Sequence, residues 1–265
     1  MKRRVFVGMV TGVAAAVGTL GSRMMAMAED WRSGIQWPEP KMVDPPKTLG
    51  GAPSDAIILF DGKDMSAWDN ADNWEVRDGY VTEGRGSIST KQKFGSVQLH
   101  IEFATPEKVE GSGQGRGNSG VFFLDGHYEL QVLDSFGNPT YFDGQCGSIY
   151  KQRPPLVNVC AKPGEWQSYD VIFNRPILQI EGDKVVKVVR PPFITVFQNG
   201  VLIHNHFALE GDTAWHKPPE FTPTPEVGSI QLQDHGNPTR FRNIWVREIP
   251  DENVKPESTG EYIAK

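Results

Sequence analysis

Cysteine is scarce in this 265-residue chain, which has only Cys146 and Cys160. So low a count excludes a disulfide-dense mini-protein. No CxxC or HxxxH spacing accompanies the pair, so they do not read as a zinc site. Clustered positive charge is missing as well. Lys and Arg number 27 against 33 Asp and Glu, a formal charge of −6, which argues against a nucleic-acid partner. Past residue 28 there is no apolar run long enough to span a membrane and no long amphipathic helix pattern. Phosphate-loop chemistry is not expected either. Gly111–Gly120 (GSGQGRGNSG) is dense in glycine but lacks GxxxxGK and opens no helix. The Ser in Gly117-Asn-Ser-Gly120 lacks the strand-to-helix turn of a nucleophile elbow. What is present is core material: hydrophobic residues are 38% and aromatics 10%, so the chain is not wholly disordered. Its length allows one large domain or two small ones.

The N-terminus has the pattern of an export signal. Lys2, Arg3 and Arg4 precede an apolar run from Val5 to Leu20, and Ala26-Met27-Ala28 supplies an A-x-A cleavage site. The run is short for a span and diluted by glycine. Residues 1–28 are therefore expected to be a signal peptide, and Arg3-Arg4-Val5-Phe6-Val7 fits the twin-arginine type although Lys2 precedes it. No Cys follows the run, so no lipoprotein anchor is expected. The expected location is the periplasm or the exterior, with no membrane span after cleavage. Cleavage removes four basic groups and no acidic one, leaving a net charge of −10. An oxidising compartment favours a disulfide between Cys146 and Cys160, worth about 3 kcal/mol in the loop-entropy model; two buried free thiols are the alternative. Residues 29–53 hold Pro38, Pro40, Pro45 and Pro46 and read as an extended segment. Residues 251–265 read as a polar tail.

Between 54 and 250 the sequence consists of short alternating runs separated by turn residues. Val97, Leu99, Ile101 and Phe103 alternate with Gln98, His100 and Glu102, a period of two. Comparable runs occupy 119–124, 127–133, 166–173, 184–189, 193–198, 200–206, 228–235 and 240–248. Asn199-Gly200 between two apolar runs is a strong hairpin signal. The expectation is an all-β, two-sheet jelly-roll sandwich.

Some strand faces carry unusual chemistry. His127, Glu129 and Gln131 share one face of their strand; Gln231, Gln233 and His235 share another; Arg240 and Arg242 alternate with Phe241 and Asn243. Amides and guanidinium forks can hold hydroxyls while a carboxylate or imidazole moves protons. A polar network tying strands together is the competing reading. Arg116 and Asn118, at the end of the glycine-rich loop, are further candidate ligand contacts. Trp215 and His216 lie in a Pro-rich loop long enough to act as a rim or lid, where Trp215 could stack on a sugar or staple the loop down. His204 and His206 read as a polar edge rather than a metal pair. Glu129, Gln131 and Asp134 have the spacing of the E-x-D-x-x-E strand of retaining β-glucanases. However, Gln131 replaces the middle acid, and Asp134 falls on the opposite face, away from the paired geometry such hydrolysis needs.

The ordered set Leu59-Phe-Asp-Gly62 with Trp68, Gly117-Asn-Ser-Gly-Val-Phe122, Tyr128-Glu-Leu-Gln-Val-Leu-Asp134, Gly147-Ser-Ile-Tyr150, Pro163-Gly-Glu-Trp166 with Tyr169-Asp170, Asn199-Gly200, Leu232-Gln-Asp-His-Gly236 and Phe241-Arg-Asn-Ile-Trp245 resembles the 3-keto-disaccharide hydrolase domain family. The resemblance spans almost the whole region 54–250. It implies a concanavalin A-like sandwich and exported enzymes that cleave glycosides carrying a ketone at C3. It suggests Glu129, His235 and Arg242 as catalytic residues, and Arg116, Asn118, Gln131, Gln233 and Trp215 as contacts to an oxidised sugar substrate. Such chemistry starts with C2 proton abstraction by Glu129 or His235. Elimination at C1 and hydration follow, with Arg242 or a bound cation opposite the enolate. A divalent metal at Glu129, His235 and a neighbouring oxygen ligand is compatible with it, but no ligand spacing requires one. A non-catalytic lectin-like module and a retaining glucanase remain alternatives. Residues 174–198 depart from the family pattern by two longer, proline-bounded strands.

Overall fold

The computed structural model describes residues 38–251. The expected signal peptide, the start of the 29–53 segment and the tail beyond Asp251 lie outside them. Fifteen strands occur among the described residues. The first eight are β1 (Ile57–Phe60), β2 (Trp68–Asp69), β3 (Glu75–Arg77), β4 (Tyr80–Thr82), β5 (Ile88–Thr90), β6 (Val97–Ala104), β7 (Ser119–Phe123) and β8 (Tyr128–Val132). The others are β9 (Gln167–Asn174), β10 (Ile177–Glu181), β11 (Lys184–Arg190), β12 (Phe193–Gln198), β13 (Val201–Ala208), β14 (Gln231–Leu232) and β15 (Arg240–Glu248).

One sheet has the order β13-β12-β9-β6-β15-β4-β3, with β1 also pairing with β15; the second has the order β2-β5-β14-β7-β8. The result is an antiparallel jelly-roll sandwich. The hairpin β10–β11 stands apart from both sheets and lies within residues 174–198, the stretch set apart in the sequence reading.

Alternation explains the core. Val97, Leu99, Ile101 and Phe103 of β6 are all buried and turn toward the smaller sheet, while Gln98 and Glu102 occupy the outer face. Aromatic rings join the two layers. Phe173 of β9 stacks on Phe123 of β7 at 4.6 Å and meets Tyr128 of β8 at 5.8 Å. Asn199 and Gly200 both have positive φ, 52° and 77°, the geometry a two-residue type I′ hairpin needs. They close β12 onto β13 with Gln198 opposite Val201.

Strands β1 to β5 lie ahead of the first run read in the sequence, and two of the sequence runs differ in detail. The run 228–235 keeps only β14 as regular strand. Ahead of it, side chains replace ladder partners: Ser229 N donates to Asp125 Oδ1 (2.7 Å) and Ile230 N to Thr90 Oγ1 (3.0 Å). Behind it, Asp234 Oδ1 accepts from Gly236 N (2.8 Å) and starts a turn. All five residues of β8 are buried, its polar face included, although it ends the smaller sheet. Its free edge bonds to the loop 147–150, with Gly147 N donating to Gln131 O at 3.0 Å and Gln131 N to Ser148 O at 3.0 Å.

The expected disulfide is absent: Cys146 and Cys160 are free thiols. They are neighbours in a polar cradle, where Gln198 Nε2 donates to Cys146 Sγ (3.3 Å) and Ser135 N to Cys160 Sγ (3.4 Å). A hydrogen bond with Cys146 and burial push the Cys160 thiol up, which keeps it protonated and poorly nucleophilic. No helix among the described residues is long and apolar enough to cross a membrane.

Phe173→Ala removes the ring that joins the sheets and should cost about 3–5 kcal/mol. Ile172→Ala, at the half-exposed neighbouring position, should stay within about 0.5 kcal/mol. Urea denaturation of both variants measures the difference, and equal losses would contradict this account of the core.

Candidate active site

The outer face of the smaller sheet lies beneath a cavity of about 650 Å³, a size that suits a sugar-sized ligand. From β8 come Glu129 and Gln131, and from β7 comes Phe122. Gln233 follows β14, and His235 rides on the turn after it. The glycine-rich loop contributes Gln114 and Asn118, and the loop 209–227 covers the mouth with Asp212 to Lys217. Gly120 sits under Glu129 for a steric reason. A Cβ there would lie 2.9 Å from Glu129 Oε1 and 2.7 Å from the Phe122 ring.

Glu129 is only 6% exposed, and burial alone pushes its carboxyl up to about 8. No ion pair reaches it among the described residues. The Gln131 amide donates to Gln114 Oε1 (3.0 Å) and Gly144 O (3.3 Å); turned over, its NH₂ lies 2.8 Å from Ser119 O and 3.1 Å from Glu129 Oε1. Asn118 Nδ2 donates to Gln114 O (2.7 Å), while its Oδ1 is buried and accepts nothing. An unpaired acceptor of this kind is costly unless a ligand or water meets it.

The covering loop is clamped to β8. Thr213 N donates to His127 O (2.7 Å) and Glu129 N to Thr213 Oγ1 (3.0 Å). Asp212 Oδ2 pairs with His127 Nδ1 at 2.9 Å and accepts from Thr222 Oγ1. The clamp holds Trp215, 77% exposed, at the mouth beside His216, with ring centroids 5.0 Å apart.

The structure thus gathers Glu129, Gln131, Asn118, Gln233, His235 and Trp215 around one cavity. It separates two others. Arg242 lies on β15 in the larger sheet, where its Nε donates to Glu102 Oε2 (2.6 Å) and its guanidinium stacks on Trp166 at 4.1 Å. It is not a residue of this cavity. Alternation identified a polar face correctly but does not say which sheet the face belongs to. Arg116 is likewise turned away: its Nε donates to Asp134 Oδ2 (2.6 Å) and its Nη2 to Phe136 O (3.0 Å), beside a separate cavity of about 140 Å³. The same ion pair removes Asp134 from any role with Glu129. Sequence reasoning missed Gln114, Tyr150, Asp212 and Lys217. Gln114 lies within a run read as flexible loop, and Asp212 meets His127 across 85 residues, a pairing no local pattern signals.

Among the described residues no three His, Cys, Asp or Glu side chains form a group that could hold a metal ion. Glu129 and His235 have no third ligand of that kind beside them, so a divalent cation there would need an oxygen ligand such as the unpaired Asn118 Oδ1 of the same cavity.

A family model described as the 3-keto-alpha-glucoside-1,2-lyase-like domain matches residues 55–247. The chain belongs to this family. A candidate glycosyl hydrolase of Parabacteroides distasonis ATCC 8503 shares 46% identity, covering 84% of this chain and 96% of its own, with a TM-score of 0.75. A second from the same organism is 24% identical over 73% of this chain and 99% of its own, with a TM-score of 0.52, and shows the shared fold. No curated protein matches the chain. Membership in the family makes this a carbohydrate-active protein and gives the covered face of the smaller sheet its context.

Glu129 ionises near the ordinary 4.5 in the unfolded chain and near 8 in the fold. Its contribution to stability is complete below about 4.5 and is lost as pH rises toward 8. Glu129→Gln should therefore flatten the fall in unfolding free energy between pH 5 and pH 8. The limiting slope removed is about 1.4 kcal/mol per pH unit. Urea titrations at both pH values check this, and parallel losses in wild type and variant would show that Glu129 ionises normally in the fold.

Proposed function

We propose that the cavity cleaves 3-keto-glycosides by elimination and hydration. The observation that carries this reading is the carboxyl inventory: among the described residues one buried, uncharged carboxyl faces the cavity, and the other acid at its wall is tied to the covering loop. Asp212 has Oδ2 committed to His127 and Thr222, while its Oδ1 is buried without a hydrogen-bond partner. Paired-carboxylate hydrolysis needs two available groups about 5–5.5 Å apart for retention. Elimination beside a ketone needs one base and one acid.

In this scheme the ketone at C3 acidifies the C2 hydrogen, which the exposed imidazole of His235 removes. The enolate expels the C1 substituent, whose oxygen takes the proton of Glu129. Water then adds to the unsaturated sugar, its oxygen to C1 and a proton to C2, giving net hydrolysis. With Arg242 in the other sheet and the amides of Gln114 and Gln131 donating to protein acceptors, the Lys217 ammonium at the cavity wall is the donor left for the enolate oxygen. Asn118 and Gln233 hold hydroxyls, and Trp215 offers a stacking face to the departing group. The pattern of residues 1–28 supports placing the reaction outside the cytoplasm.

A product assay with 3-keto-trehalose, 3-keto-sucrose and an unoxidised glucoside tests the reading. The expected result is release of 3-keto-glucose from the oxidised substrates alone, and loss of that activity with chelator would add a metal to the site. Saturable binding without product would replace it with a lectin. Because the acid form of Glu129 acts, kcat/KM should fall as pH rises through about 8. Glu129→Gln should lower kcat by about 10²-fold or more. Full activity up to pH 9.5 would remove Glu129 as the proton donor.

A further inference from the structure

Outside the cavity wall, one buried acid holds the turn that presents His235. Glu83 follows β4 in the larger sheet and is buried. Its Oε1 accepts from two backbone amides of that turn, His235 N at 2.8 Å and Asn237 N at 3.1 Å. Its own N donates to Thr239 O at 2.8 Å, so backbone and side chain grip the same connection. Its Oε2 is buried and accepts no hydrogen bond.

We propose that Glu83 is a positioning residue for the active site, its Oε1 holding the amides of His235 and Asn237 so that the imidazole of His235 stays at the mouth of the cavity. This rests on the role given to His235 above. Three features support it. First, Glu83 holds the turn on both sides of Gly236, while Asp234 N donates to Ser87 Oγ (3.0 Å) ahead of it. Asn237 Nδ2 donates to His235 O (3.1 Å) and Asn237 Oδ1 accepts from Gly117 N (2.7 Å), so the grip on Asn237 extends to the glycine-rich loop. Second, Asp234 accepts from Gly86 N (2.7 Å) and Gly236 N (2.8 Å) and lies beside Glu83. Burial pushes the Glu83 carboxyl up to about 8. Glutamine keeps the shape of an uncharged carboxyl and the oxygen that accepts from the two amides. Third, general-base catalysis is sensitive to small displacements of the base. An error of about 1 Å can cost about 10²-fold in rate.

The experiment compares Glu83→Gln and Glu83→Ala in the full chain, reading both kinetics on 3-keto-trehalose and the histidine signals of ¹⁵N-labelled protein. Glu83→Gln should keep the His235 amide and ring resonances and kcat within about twofold of wild type. Glu83→Ala should move or broaden the His235 signals while other histidines stay put. It should also lower kcat about 10- to 100-fold with KM within about threefold, as expected for a misplaced base. If Glu83→Ala does not fold, Glu83→Asp draws the carboxyl back by one methylene and carries the same expectation. His235 signals unchanged in the alanine or aspartate variant would overturn the proposal, as would their displacement in the glutamine variant. The NMR readout does not depend on turnover. Displaced His235 signals in a protein that cleaves no keto-glycoside would uphold Glu83 and count against the proposed reaction instead.

Discussion

Enclosure of β8 on both faces is the constraint on which the site depends. As the terminal strand of the smaller sheet, β8 would ordinarily keep an unpaired edge and a wet outer face. The loop 147–150 pairs with that edge, and the loop carrying Asp212 and Thr213 closes over the face. Water is thereby withdrawn from Glu129, and without water or a cation its ionised form is disfavoured. The proton on Glu129 is a consequence of how the loops fold over the strand. Gly120 supports this packing from below, because any larger residue would push the carboxyl out of its place.

The distribution of guanidinium groups reinforces the effect. Arg116 is paired with Asp134, Arg242 with Glu102, Arg247 with Asp55 and Arg175 with Asp251. Each of these arginines holds strands or loops together, and none of them borders the large cavity. The cavity's polar wall is made of amides, two histidines, hydroxyls, Asp212 and one lysine, and burial is what keeps the proton on Glu129. A guanidinium beside it would have lowered its affinity for that proton. Glu83 repeats the same physics one step further out, with backbone amides in place of a cation.

The residues contributed by the turn and the covering loop come from distant parts of the chain. His235 is anchored to a carboxyl 152 residues before it, and the loop bearing Trp215 is tied to His127 across 85 residues. These anchors leave the regular strands as a rigid base and place the contacts to ligand on short connections, where small backbone changes can retune the site.

Much was already readable in the sequence. The period-two runs at Val97–Phe103 and along 166–173, together with Asn199-Gly200, determine strands and a hairpin locally, because side-chain alternation and positive φ are properties of neighbouring residues. The polar set on Glu129 and Gln131 was visible for the same reason. Tertiary structure alone decided which polar faces meet. Alternation places Arg242 and Glu129 on polar faces alike, but only sheet order shows that these faces belong to different layers. It also decided that the two cysteines lie side by side as thiols, that Arg116 turns away to Asp134, and that Asp212 and Glu83 support the site. Each of these depends on contacts between segments far apart in the chain, and on the loss of water when those segments close together.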